Sequence, residues 1–211
     1  MSTIITVCSW FFNQLFPVSC LLCGTYGSDI CTSCSHTFTW PKYQKKKWIT
    51  SFWNYRDPHA EIVLRHIKSM PNDRIAHYCA KLFSDRILNR PRNPDLWVII
   101  PIPIAPTRFR QRGFNQSELI AYAMSRQFTI QLLTSVLVKT HHTKKQGTAR
   151  SREERAQNIT GSFSIDHQHL IQGKNIILVD DIVTTGSTLS EARHVLIKAG
   201  AQRVIAWTLA N

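Results

Sequence analysis

Two adjacent carboxylates, Asp180 and Asp181, end the apolar run Ile176-Ile177-Leu178-Val179 and are followed, after Ile182-Val183, by Thr184-Thr185-Gly186-Ser187-Thr188. Four apolar residues in a row read as a buried strand, and the hydroxyl-rich pentad reads as a loop opening a helix over 188–199. This order suits a phosphorylated sugar. Backbone N–H groups of such a loop and of the first helical turn point at an anion, and the helix dipole favours it. Gly186 lets the backbone come close, and the hydroxyls of Thr184, Thr185, Ser187 and Thr188 add donors. Carboxylates beside a phosphate cradle would repel the anion unless they face something else. Ribose hydroxyls, or a magnesium ion carried by the ligand, meet that need. The pair also sits at the carboxyl end of its strand, where ligands of open α/β sheets bind. A helix cap and a solvated strand end would explain one Ser or Thr, but not two aspartates and five cradle residues together.

Four cysteines form a second constellation. Cys20 and Cys23 make one CxxC pair, and Cys31 and Cys34 make another seven residues on. Four thiolates can close a tetrahedral structural zinc site and leave no open position for catalysis. Gly24 and Gly27 suit the tight turns between the knuckles. Disulfides are the competing reading, but the chain has no secretory leader pattern, so zinc is expected. Cys8 and Cys79 stand outside the pattern and are not expected to be ligands.

The elements that must position these groups follow from the apolar pattern. Ile49 to Tyr55 reads as a strand, residues 58–70 and 73–89 as helices, and Leu96 to Ile100 as a fully apolar strand. Strand 96–100 ends at a loop containing Arg108, Arg110 and Arg112. Residues 116–127 suit a helix, 130–139 extended structure, 141–158 a long basic loop, and Arg203 to Leu209 a last strand. Strands alternating with helices predict an α/β fold with a central parallel sheet and right-handed crossovers. Residues 4–16 form an amphipathic helix expected to pack on the protein's own core. No run reaches the length of a membrane span, and a cytoplasmic protein is expected.

Charge adds a partner class. The 211 residues carry 26 Lys and Arg against 13 Asp and Glu, a formal net charge of +13. Residues 1–41 hold no Lys or Arg, whereas 42–97 hold 12 basic and 5 acidic residues and 105–160 hold 10 and 3. A surplus of this size is unusual for an enzyme of neutral metabolites and points to a polyanion such as nucleic acid.

Beyond these local readings, the string from Val179 to Thr188 resembles the 5-phosphoribosyl-1-pyrophosphate (PRPP) signature of type I phosphoribosyltransferases. Further segments narrow the resemblance: Pro101-Ile102-Pro103, Arg112-Gly113-Phe114-Asn115-Gln116, Gln146, Glu154-Arg155-Ala156-Gln157-Asn158 and Gly161-Ser162-Phe163. With the four-cysteine finger, they are similar to the ComF family of competence proteins, which includes the GntX-type proteins. The resemblance implies a type I phosphoribosyltransferase-like fold over 46–211, with an N-terminal helix and zinc finger over 1–45. It implies that Asp180 and Asp181 hold the ribose hydroxyls, that Thr184, Thr185, Gly186, Ser187 and Thr188 hold the 5-phosphate, and that Arg112 lies toward the pyrophosphate of a magnesium-bound PRPP. It further implies a role in natural transformation, assisting import of single-stranded DNA into the cytoplasm. A DNA-uptake helicase or inner-membrane channel would then be a partner, and a peripheral place at the inner membrane would fit.

Two functions compete on these grounds. In the first, the chain handles single-stranded DNA through Lys45, Lys46 and Lys47 and through Arg150, Arg152 and Arg155. Trp40, Tyr43, Trp48 and Trp53 interleave with the lysines in a way that suits base stacking, although packing of the finger onto the main domain would use the same aromatics. In the second, the chain is an active phosphoribosyltransferase with an unknown acceptor. The loop 141–158 matches either a lid over pyrophosphate or a grip on a nucleic-acid backbone.

Overall fold

A computed structural model describes residues 18–87, 91, 93–140 and 161–211 of the chain. In chain order its elements are α1 (Thr32–Ser35), β1 (Ile49–Trp53), α2 (Pro58–Ser69), α3 (Asp73–Arg86), β2 (Trp97–Pro101), α4 (Pro106–Arg112), α5 (Gln116–Phe128), β3 (Gln131–Leu132), β4 (Leu137–Lys139), β5 (Phe163–Ile165), β6 (Asn175–Ile182), α6 (Ser187–Lys198) and β7 (Arg203–Ala210). The amphipathic helix expected over 4–16 and the basic loop 141–158 lie outside the described residues. Among those described, no helix is long and apolar enough to cross a membrane.

Five strands form one parallel sheet in the order β1-β7-β6-β2-β3. The continuous apolar runs in β2 and β6 have their physical reason here, because a parallel sheet is covered on both faces. Side chains alternate across it with period two. Ile99, Ile177, Val179, Trp207 and Leu209 face one core with α2, α3 and α5. Val98, Ile100, Ile176, Leu178, Val204 and Ala206 face the other, under α6 and the antiparallel pair β4–β5. Truncating a fully buried residue such as Ile177 to Ala would cost about 2–5 kcal/mol.

The finger shares the first of these cores. Ile30 and Phe38 are buried in it, and Phe38 stacks on Trp53 with ring centroids 4.6 Å apart. Asp57 fastens the junction. Its carboxylate caps α2 at the His59 and Ala60 N–H groups (2.8 and 3.0 Å) and accepts from Thr39 N–H at 2.6 Å. Burial opposes ionisation of Asp57, yet these donors hold its carboxyl below the usual range. Arg74 of α3 adds an ion pair to Asp29 at 3.1 Å.

Several local expectations need correction. The segment read as an arginine loop contains the helix α4, with Pro106 in its first turn and Gly113 closing it in the left-handed region at φ 77°. Proline at that place loses no hydrogen bond, since the first N–H groups of a helix have no partner. The extended segment 130–139 divides into two short strands in different sheets. Of the two uses open to the aromatic array, Trp40 and Trp53 take the packing one. Trp53 is fully buried, Trp40 packs edge-on against Phe52, and Arg86 lies 3.8 Å from the Trp40 ring. Trp48 lies half-buried with Arg193 5.2 Å from its ring.

Candidate functional site

The carboxyl edge of β6 brings Asp180 and Asp181 together with residues from distant parts of the chain. Ser117, fully buried in the first turn of α5, donates its hydroxyl to Asp180 Oδ1 at 2.9 Å. The Asp181 N–H donates to the same oxygen at 3.0 Å, and the Ile182 N–H donates to Asp181 Oδ1 at 2.8 Å. Lys68, from the last turn of α2, places its ammonium 3.1 Å from Asp181 Oδ2. That contact is an ion pair without hydrogen-bond alignment, so Oδ2 has no hydrogen-bond donor. A buried acceptor with spare capacity can take a ligand hydroxyl. Burial, with the Asp181 carboxylate close by, pushes Asp180 up to about 8.

The Arg-Gly-Phe-Asn-Gln string acts as scaffold for this corner. Asn115 caps α5 through the Ser117 N–H at 3.1 Å and donates its amide to the Ile102 carbonyl at 3.1 Å, tying the helix to the end of β2. Arg112 donates to Gln116 Oε1 at 2.9 Å and is held half-buried there. Arg108 and Lys139 share the electrostatic surroundings of Asp180. Burial and the Arg108 charge hold the Lys139 ammonium below its ordinary range, while the Asp180 carboxylate pulls it the other way.

The loop after the acids leaves the start of α6 open. Gly186 occupies the N-cap at φ 75°, and no side chain caps the helix. A methyl group at Gly186 would meet neighbours at an ordinary 3.6 Å, so the left-handed backbone, not crowding, calls for glycine here. Thr185 and Ser187 share a hydroxyl hydrogen bond of 2.9 Å. The helix begins at Ser187, one residue before the expected start. Lys46 reaches the same turn, donating to Ser190 Oγ at 2.8 Å, whereas Lys45 and Lys47 are exposed. Arg150, Arg152 and Arg155 lie outside the described residues. Sequence reading missed Ser117 and Lys68, and it assigned Lys46 to DNA without its place beside this loop. Ser117 directly follows the Arg-Gly-Phe-Asn-Gln string, which is its only local signal.

At the finger, the Sγ atoms of Cys20, Cys23, Cys31 and Cys34 all lie within 4.8 Å of one another. A tetrahedral zinc site with Zn–S bonds of about 2.3 Å needs sulfurs about 3.8 Å apart, and Cys23 and Cys31 stand at 3.6 Å. The four cysteines can therefore hold a metal such as zinc. Their thiols are reduced, and they differ in acidity. Hydrogen bonds from Thr25 bring Cys23 down to about 6, while the neighbouring Cys31 pushes Cys34 up to about 12. A central cation would remove that split by stabilising all four thiolates. Cys79 lies apart in the core, where burial raises its thiol.

Comparison with known proteins agrees with this architecture. Residues 114–211 match the phosphoribosyl transferase domain family. The chain is 30% identical over 155 residues to the DNA utilization protein YhgH of Escherichia coli O157:H7, covering 72% of this chain and 67% of that protein. It is 29% identical over 195 residues to Competence protein F of Haemophilus influenzae, covering 90% and 84%. Among solved structures, a glutamine PRPP amidotransferase from B. subtilis overlaps 63% of this chain and 25% of its own, with 19% identity and a TM-score of 0.43. With its parallel sheet, its acid pair before a hydroxyl-rich loop and its four clustered cysteines, this chain belongs to the ComF family and carries a type I phosphoribosyltransferase-like fold.

Proposed function

We propose that this chain acts in DNA uptake, binding PRPP with magnesium at the carboxyl edge of the sheet and single-stranded DNA along its basic exterior. The observation that carries the first half is Asp180-Asp181 at the end of β6, directly before an uncapped helix start. In this reading the two acids accept from the ribose hydroxyls, and Thr184 to Thr188 receive the 5-phosphate on open N–H groups. Arg108, Arg112 and Lys139 lie toward the pyrophosphate, and magnesium would neutralise part of its charge. The relatives' names, competence protein and DNA utilization protein, support the second half, as does the +13 net charge. Lys45, Lys46 and Lys47, with Arg150, Arg152 and Arg155, are the proposed DNA contacts. The finger, over 1–45, takes a structural zinc, and the domain from 46 onward takes PRPP. A cytoplasmic place, peripheral to an inner-membrane channel and beside a helicase, fits this role.

The alternative is phosphoribosyl transfer. The bond from ribose C1 to pyrophosphate would break, an acceptor would bond to C1, and pyrophosphate would leave. Intact acids favour it, because a chain needing only a basic surface has no use for two carboxylates set side by side at the sheet edge, one of them buried. One experiment separates the readings: labelled pyrophosphate release from PRPP with candidate acceptors, measured beside anisotropy of a labelled single strand at low salt. Strand binding without release supports DNA handling. Release without strand binding leaves the transferase alone.

A further inference from the structure

We propose that the cleft on the far side of Thr184 from the acid pair holds one nucleotide of a single strand, its base against Tyr43 or Tyr55 and its phosphate among Lys42, Lys45 and Arg56. This rests on the DNA-binding reading and gives it an address. The cleft has a volume of about 370 Å³ and runs along the carboxyl ends of β1, β7 and β6. That is the low end of the size range of small-molecule sites, about 300–1,000 Å³. It admits one nucleotide, not a stacked base pair.

Its chemistry is one-sided. Three cationic side chains line it and no acidic side chain does. A neutral base would not need three positive charges, whereas a nucleic-acid backbone brings one negative charge per nucleotide. The aromatic residues differ from their neighbours in exposure. Tyr43 is 72% and Tyr55 45% exposed, while Trp40, Phe52 and Trp53 are packed into the protein. Rings left in water beside cations are the pairing that single-strand sites use, since every base has a face to stack.

The platform is also fixed in advance. Gln44 clamps the linker to β1, donating to the Ser51 carbonyl at 3.1 Å and accepting from the Ser51 N–H at 2.7 Å. Asn211 donates its amide to the Tyr43 carbonyl at 3.1 Å and accepts the Tyr55 N–H at 2.9 Å. Both tyrosines therefore hang on one anchored corner. Little ordering remains to be done when a strand arrives, and that raises affinity. Because Thr184 borders both the cleft and the phosphate loop, a strand seated here lies next to that loop.

The test uses the full zinc-loaded chain and anisotropy of a labelled oligothymidylate. Tyr43→Ala with Tyr55→Ala should lower affinity by about tenfold or more. Replacing Lys42, Lys45 and Arg56 by Gln should flatten the log–log salt slope by about 0.7, the contribution of the one phosphate they share. Zinc content and melting of each variant confirm its fold. A tyrosine variant that is folded and binds like wild type overturns the cleft and leaves the DNA reading standing. Wild-type protein that fails to bind the strand removes both. Photocrosslinking of wild type to 4-thiothymidine in the strand gives a second reading without substitution. Adducts on the Tyr43 or Tyr55 peptides support the cleft, and adducts found only elsewhere overturn it.

Discussion

The cysteine knuckles and the acid pair are built in opposite ways. All four thiols come from fifteen consecutive residues, Cys20 to Cys34, and turns bring them together. Asp180 and Asp181 are adjacent, but their supports come from far off: Ser117 lies 63 positions from Asp180, and Lys68 belongs to a helix before the sheet's second strand. The first centre can hold a metal, which would fix a local fold. The second depends on the whole fold to hold two side chains. Damage to the finger should therefore appear as lost structure, and damage around the acids as altered binding in an intact protein.

The largest expected effect is on the finger. Removing zinc with a strong chelator, or replacing Cys23 by Ser, should unfold residues around the knuckles, since structural zinc supplies about 10–16 kcal/mol in finger peptides. Ile30 and Phe38 would leave the core, and the main domain should melt at lower temperature. Elemental analysis and thermal melting report both changes. Zinc-free protein under reducing conditions with unchanged melting would erase the contrast.

Next comes the acid pair. Asp180→Asn with Asp181→Asn should weaken PRPP by tenfold or more per lost contact, at about 1.5–3 kcal/mol each, with melting unchanged or raised. Calorimetry showing equal PRPP affinity would move the ligand elsewhere. A pH series then sharpens the point. Asp180 is raised to about 8, so its contribution to stability is fully present below the ordinary carboxyl range and is lost as pH rises through 8. Ligand binding runs the other way. If the ionised carboxylate accepts from ribose, PRPP affinity should rise with pH up to about 8, by at most about tenfold per unit, with proton release visible as a buffer-dependent heat. A flat profile would show that Asp180 stays protonated or stands aside.

The smallest effect in this series belongs to Ser117. Ser117→Ala removes the hydroxyl that favours ionised Asp180, a hydrogen bond to a charged group worth about 1.5–3 kcal/mol. PRPP affinity below pH 8 should fall by about tenfold, and the rising limb of its pH profile should move to higher pH. A loss without that displacement would mean that Ser117 supports packing alone.

What could be read from the sequence divides along the same line. Each cysteine carries its partner three positions away, and the string from Val179 to Thr188 is contiguous, so spacing alone suffices. β2, β6 and β7 were legible because buried parallel strands are continuously apolar. The helix α4 was not, because Phe109 alone gives it no apolar stripe and Pro106 looks like a breaker until its place in the first turn is known. For Trp53 two uses stood open, base stacking or packing of the finger onto the main domain, and the strand alternation of β1 turns it inward onto Phe38. Lys68 follows the buried Leu64 and Ile67 on α2, and only the packing of that helix reveals that it faces Asp181.

Gln44 has a consequence beyond the cleft. β1 is an edge of the sheet, and the Ser51 N–H and C=O are both occupied by the Gln44 amide. An unpaired pair of this kind on an edge strand is an invitation to another chain, and natural sheets block such edges to avoid aggregation. One side chain here does what a further strand would do. The linker that carries the lysines therefore also guards solubility, and shortening it by one residue would uncover the edge as surely as it would displace the charges.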